Sequence, residues 1–122
     1  MSAHNILQEL LIAPYETLDP GDGVAIIVDR WNQHVGLVIV AGTAETNTLA
    51  APVQAGEKIS FIAMTVGAGG TRAITAASAI NSSSNTIMTF NAVDDAITLE
   101  SFPVGSATYE WRITFNSGVA LS

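Results

Sequence analysis

Ala107-Thr108-Tyr109-Glu110-Trp111-Arg112-Ile113-Thr114-Phe115 carries the strongest structural signal in the chain. Ala107, Tyr109, Trp111, Ile113 and Phe115 alternate with Thr108, Glu110, Arg112 and Thr114, the period-2 pattern of a strand with one buried face. A helix would space its apolar positions three and four apart. Tyr109 and Trp111 share a face with Ile113, so both are expected to pack into a core. Pro103-Val104-Gly105-Ser106 reads as the turn before this strand, which makes 96–102 a strand as well.

Working back toward the start, the strand-sized runs are 86–90, 72–76, 59–66, 46–49, 35–40 and 24–28, separated by turn residues. The runs 24–28 and 35–40 flank a six-residue loop and are compatible with a hairpin. Both look buried on two faces. The run 59–66 has apolar residues at both parities and is predicted to be central. Gly67-Ala68-Gly69-Gly70 has no following lysine and neither of the two phosphate-loop spacings, so it reads as a hairpin loop. The expected fold is all-β: an antiparallel β-sandwich or small barrel of jelly-roll type with about eight strands, forming one β domain over 19–122. No internal repeat is visible.

Residues 1–18 read as an N-terminal arm or short helix. Ile6, Leu7, Leu10 and Leu11 fall at i, i+1, i+4 and i+5 after Asn5, a candidate N-cap with Gln8 three residues on, and Pro14 ends the pattern. A helix of about two turns is not stable alone in water. Its aliphatic stripe is therefore expected to dock, either on its own domain or on another chain.

Composition excludes several classes of function. Of 122 residues, 12% are charged, against about 25% in typical soluble proteins. Ala, Gly, Ser and Thr supply 50 of the 122, so small neutral side chains must cover much of the surface. Net charge is −7, and the four basic residues Arg30, Lys58, Arg72 and Arg112 are scattered, which argues against nucleic acid and anionic membranes as partners. No apolar run is long enough to span a bilayer, and residues 1–13 lack the basic start of a signal peptide. With no cysteine, disulfides and thiolate metal sites are impossible.

No catalytic, metal or cofactor constellation emerges. Asp19 with Asp22, and Asp94 with Asp95, lack calcium-loop spacing and read as turn formers. His4 and His34 form no ligand pair and are expected at the surface, and Gly105-Ser106 has no nucleophile-elbow context. Asn81-Ser82-Ser83 matches the glycosylation pattern by chance frequency alone. Trp31 differs because it sits on a polar loop, which makes it a candidate contact for a protein or glycan partner.

Five stretches resemble the small β-rich head decoration, cement or head-fibre proteins encoded beside the capsid genes of tailed bacteriophages: Gly42-Thr43-Ala44-Glu45-Thr46-Asn47-Thr48-Leu49-Ala50-Ala51-Pro52, Arg72-Ala73-Ile74-Thr75, Asn85-Thr86-Ile87-Met88-Thr89-Phe90, Trp111-Arg112-Ile113 and Gly118-Val119-Ala120-Leu121-Ser122. The resemblance implies a non-enzymatic virion protein, made in the bacterial host cytoplasm. Such a protein binds the major capsid protein on the outside of an assembled shell, usually as a homotrimer, and clamps adjacent capsomers. It maps no binding motif onto these positions. A receptor- or glycan-binding module of a phage fibre, using Trp31 and neighbouring loops, is the alternative.

Overall fold

The computed structural model describes residues 15–28 and 31–122. Ile6, Leu7, Leu10 and Leu11 lie outside the described residues. Among those described there are ten strands and no helix: β1 (Tyr15–Leu18), β2 (Ala25–Ile26), β3 (Asn32–Ile39), β4 (Ala44–Leu49), β5 (Lys58–Val66), β6 (Thr71–Ala76), β7 (Ile87–Phe90), β8 (Ala96–Gly105), β9 (Thr108–Ser117) and β10 (Ala120–Leu121). They form two five-stranded sheets, ordered β1-β3-β5-β8-β9 and β10-β7-β6-β4-β2. The expected all-β sandwich is present. Residues 15–18, read from sequence as the end of the arm, are its edge strand β1, paired with β3.

The pairing is not antiparallel throughout. β1, β3 and β5 run parallel in the first sheet, and β2, β4 and β6 run parallel in the second. From Tyr15 to Ala76 the chain passes alternately between sheets, winding as a flattened coil that sets Asn32 beside Lys58 and Ala44 beside Thr71. β7 to β10 then close the sandwich with antiparallel pairings. The expected hairpin between 24–28 and 35–40 is absent, because β2 and β3 belong to opposite sheets. Neither run is buried on two faces; β3 alternates, with Gln33, Val35, Leu37 and Ile39 buried.

Gly67 to Gly70 is likewise no hairpin loop. It arches from β5 in one sheet to β6 in the other, stacked on the equivalent arch from β3 to β4. Gly42 N–H donates to Ala68 O (2.9 Å), Gly67 N–H to Ile39 O (2.8 Å) and Thr71 N–H to Thr43 O (2.9 Å). A Cβ on Gly67 would lie 2.3 Å from Ala41 N, and one on Gly70 2.3 Å from Val40 O. The glycines are there because backbone meets backbone.

The core lies between the sheets and includes Leu37, Leu49, Ile59, Phe61, Ile74, Met88, Phe90, Ile97, Leu99 and Trp111, all fully or almost fully buried. Phe61 of β5 and Phe90 of β7 meet across the sandwich at 6.2 Å between ring centroids, tilted by 60°, within the favoured range for aromatic pairs.

Candidate functional site

β5 is the middle strand of the first sheet, as its sequence predicts, yet only one of its faces is covered. Ile59, Phe61 and Ala63 point into the core, while Ile62 and Met64 point outward and are 37% and 51% exposed. Leu18 on β1 (73% exposed) and Phe115 on β9 (55% exposed) join them. These side chains border an open groove of about 550 Å³ that Gly36 and His34 also line. Gly36 sits at the base. A Cβ there would lie 3.0 Å from Met64 Cγ and 3.2 Å from Leu18 Cδ1, so the missing side chain lets those two residues approach over β3.

Two β-bulges shape this face. Leu37 pairs with Ala63 but Val38 with Thr65, leaving Met64 as the extra residue of β5. Leu99 pairs with Ile113 but Thr98 with Phe115, leaving Thr114 extra in β9. The second bulge corrects the sequence reading: an unbroken alternation would put Phe115 inside with Trp111 and Ile113, whereas one additional residue turns it to the opposite face. Trp111 is fully buried as expected, and Ile113 packs against the core. Tyr109 is half-buried.

Charge borders the apolar centre. Lys58 of β5, Glu100 of β8 and Arg112 of β9 lie side by side in register on the outer face. Arg112 Nε is 3.3 Å from Glu110 Oε1, and Arg112 Nη2 donates to Ser82 Oγ at 2.7 Å. Asn81 Oδ1 accepts from Ile113 N–H (2.7 Å), so that asparagine is engaged in holding its loop against the β9 edge. Two of the four basic residues, Lys58 and Arg112, thus share one face.

Arg72 is fully buried and belongs to the interior. Its Nη1 donates to Asn47 Oδ1 (2.9 Å), and its Nη2 to Asp19 Oδ1 (3.1 Å), Glu45 Oε2 (3.1 Å) and Val38 O (3.2 Å). Glu45 Oε1 in turn accepts from Val40 N–H (3.0 Å), and Asn47 Nδ2 donates to Gly21 O and Val24 O. One guanidinium therefore ties both sheets and two connecting loops together. The acidic turn residues also act locally: Asp22 Oδ1 accepts from Thr46 N–H, and Asp95 Oδ2 from Asn91 and Ala92 N–H.

Trp31 is 43% exposed, and its six-membered ring lies against Gly56, whose Cβ would be 3.3 Å from Trp31 Cζ3. His34 is exposed on the outer face. Among the described residues no group of three or more His, Cys, Asp or Glu is placed to hold a metal ion. Sequence reasoning singled out Trp31 but missed Leu18, Ile62, Met64 and Phe115. The signal for two of them was present, since apolar residues at both parities of 59–66 include Ile62 and Met64. Comparison with family models and with curated proteins finds no match to the chain.

Proposed function

We propose that this protein is a structural component of a tailed-phage virion, a cement protein that binds the outer surface of the capsid and holds adjacent capsomers together without catalysing a reaction. The observation that carries this reading is the uncovered apolar face of the first sheet. Four large apolar side chains facing water together mark a surface meant to be covered by protein, and covering them is worth on the order of several kcal/mol. The resemblance supplies the kind of partner. The stretches that bear it build β4, β6, β7 and β10 of the second sheet, together with Trp111 of the core, so what is shared is the scaffold. In this reading the chain is a homotrimer on the capsid surface, and Ile6, Leu7, Leu10 and Leu11 of the leader dock on the major capsid protein.

Co-sedimentation with heads assembled from a major capsid protein encoded beside this chain tests it. The full chain should pellet with closed heads, and Leu7→Glu with Leu10→Glu should lose most of that retention while the β body keeps its circular dichroism. Failure of the full chain to pellet overturns the capsid reading. Retention unchanged by the two substitutions overturns the leader's role.

One observation favours the fibre-type alternative. Trp31 is braced on Gly56 with its remaining surface open, which is how an aromatic platform for a sugar ring is built. Binding on a glycan array that Trp31→Ala abolishes would select that reading over the cement protein, and a silent array would remove it.

A further inference from the structure

We infer that the outer face of the first sheet is where this chain meets other copies of itself. The capsid reading already takes the chain as a homotrimer; the inference adds which surface joins the copies, and does not need the capsid. Its starting point is electrostatic. A chain of net charge −7 repels its own copies, so self-association needs a surface that does not carry the excess. Arg72 is buried, and Arg30 lies outside the described residues. The remaining two basic residues of the chain, Lys58 and Arg112, both stand on this face, in register across Glu100, with Glu110 paired to Arg112. Two cations stand against Glu100, Glu110 and, by the register of β1 with β3, Glu16, so the strand positions of the face sum to only −1 of the chain's −7. Apposed copies would meet an apolar centre and a border that carries little of the excess charge.

Size agrees. β3, β5, β8 and β9, about 4.8 Å apart and eight to ten residues long at about 3.3 Å per residue, with the four-residue β1 at the edge, give a face of roughly 600 Å². That is at the low end of the ~600–1,000 Å² each partner contributes to a standard stable interface. The β9 bulge adds to the case, because it turns Phe115 out of the core and onto this face. Leu18, Met64 and Phe115 around the recess over Gly36 supply both prominences and a hollow on one surface, as contact between like surfaces requires.

Light scattering of the full chain over a range of concentrations tests the inference. The native protein should have a mass of more than one chain. Met64→Glu and Phe115→Glu, each at a side chain already more than half exposed, should raise the dissociation constant on the order of a hundredfold or more by placing like charges opposite one another. Both variants should keep native circular dichroism and thermal unfolding measured on the dissociated species. Val53→Glu, at an exposed residue between β4 and β5, should leave the mass unchanged. A one-chain mass for the native protein at every concentration overturns the inference, and assigns the face to the leader or to a different protein. Assembly that survives both Met64→Glu and Phe115→Glu also overturns it, because the copies then meet elsewhere. Head binding is read separately. A multi-chain protein that ignores heads leaves this inference standing and overturns the capsid reading, and a one-chain protein that binds heads overturns this inference and the homotrimer while leaving capsid binding standing.

Discussion

Replacing Arg72 with methionine should lower the unfolding free energy by about 3–5 kcal/mol, the usual cost of removing one partner from a buried charged cluster. Such a loss is comparable with much of the ~5–15 kcal/mol that holds a typical domain folded. The cost arises less from the vanished ion pair than from what stays behind. Glu45 is 11% exposed and would keep a carboxylate in the interior without its guanidinium, and Asn47 Oδ1 and Val38 O would each lose a donor. Asp19, at 34% side-chain exposure, can turn to water and contributes less. Arg72→Lys should recover only part of the loss, since a point charge cannot reach four acceptors as a planar fork does. Adding Glu45→Gln to Arg72→Met should restore part of the stability by removing the orphaned charge. Urea unfolding of the three variants reads this directly: the midpoint should fall most for Arg72→Met, less for Arg72→Lys, and less for the double variant than for Arg72→Met alone. Equal stability of Arg72→Met and the native protein would show that the cluster contributes nothing net.

Trp111→Ala should cost a similar ~3–5 kcal/mol for a different reason, the cavity left by the largest fully buried side chain. Trp111 sits on β9 of the first sheet, and its Nε1 donates to Ala50 O (3.1 Å) just beyond β4 of the second. The backbone around it is also engaged, with a bridge to Ile80 and with Trp111 O accepting from Asn81 N–H (2.9 Å). Removing the indole therefore loosens the contact between sheets and the loop that covers the β9 edge. Trp111→Phe keeps most of the volume but leaves Ala50 O without its donor, so a smaller loss of about 1–2 kcal/mol is expected. Urea midpoints followed by far-UV circular dichroism should rank native above Trp111→Phe above Trp111→Ala. Near-equality of the two variants would assign the stability to the hydrogen bond instead of to packing.

Strand positions were legible because alternation is local. β4 to β9 lie within a few residues of the runs picked out from sequence, and Trp111 is in the core as its phase requires. Strand order was not legible. A four-residue link can reverse a strand within one sheet or carry it across to the other, and composition alone does not separate a hairpin from an arch. A regular spacing does: Gly42 and Gly69 both have positive φ, and Glu45 pairs in register with Arg72, and Leu49 with Ala76. Each pair is separated by the same interval, so the coil left a trace too short and too degenerate to read as a repeat. Arg72 reads from sequence only as one of four scattered basic residues, since arginine is seldom buried; its phase with Ile74 and Ala76, all buried, is the available sign of an interior role.

The outer face was hidden for a related reason. Apolar residues at both parities of β5 fit a strand covered on two sides, and nothing in the sequence says whether the second cover belongs to the same chain. The bulge at Thr114 was also invisible, since a single inserted residue has no compositional mark. The features on which the proposed assembly role rests therefore arise where local pattern and tertiary structure part: one residue out of phase in β9, and a sheet face left open.

A cement protein that prefers the closed lattice to its free subunits must stabilise the shell by mass action, by about 2.7 kcal/mol per site when its free concentration is a hundred times the dissociation constant. The temperature at which packaged heads release their DNA should therefore rise on addition of this protein, and go on rising with the logarithm of its concentration. Heads that rupture at the same temperature with and without a saturating amount of it would contradict the cement role.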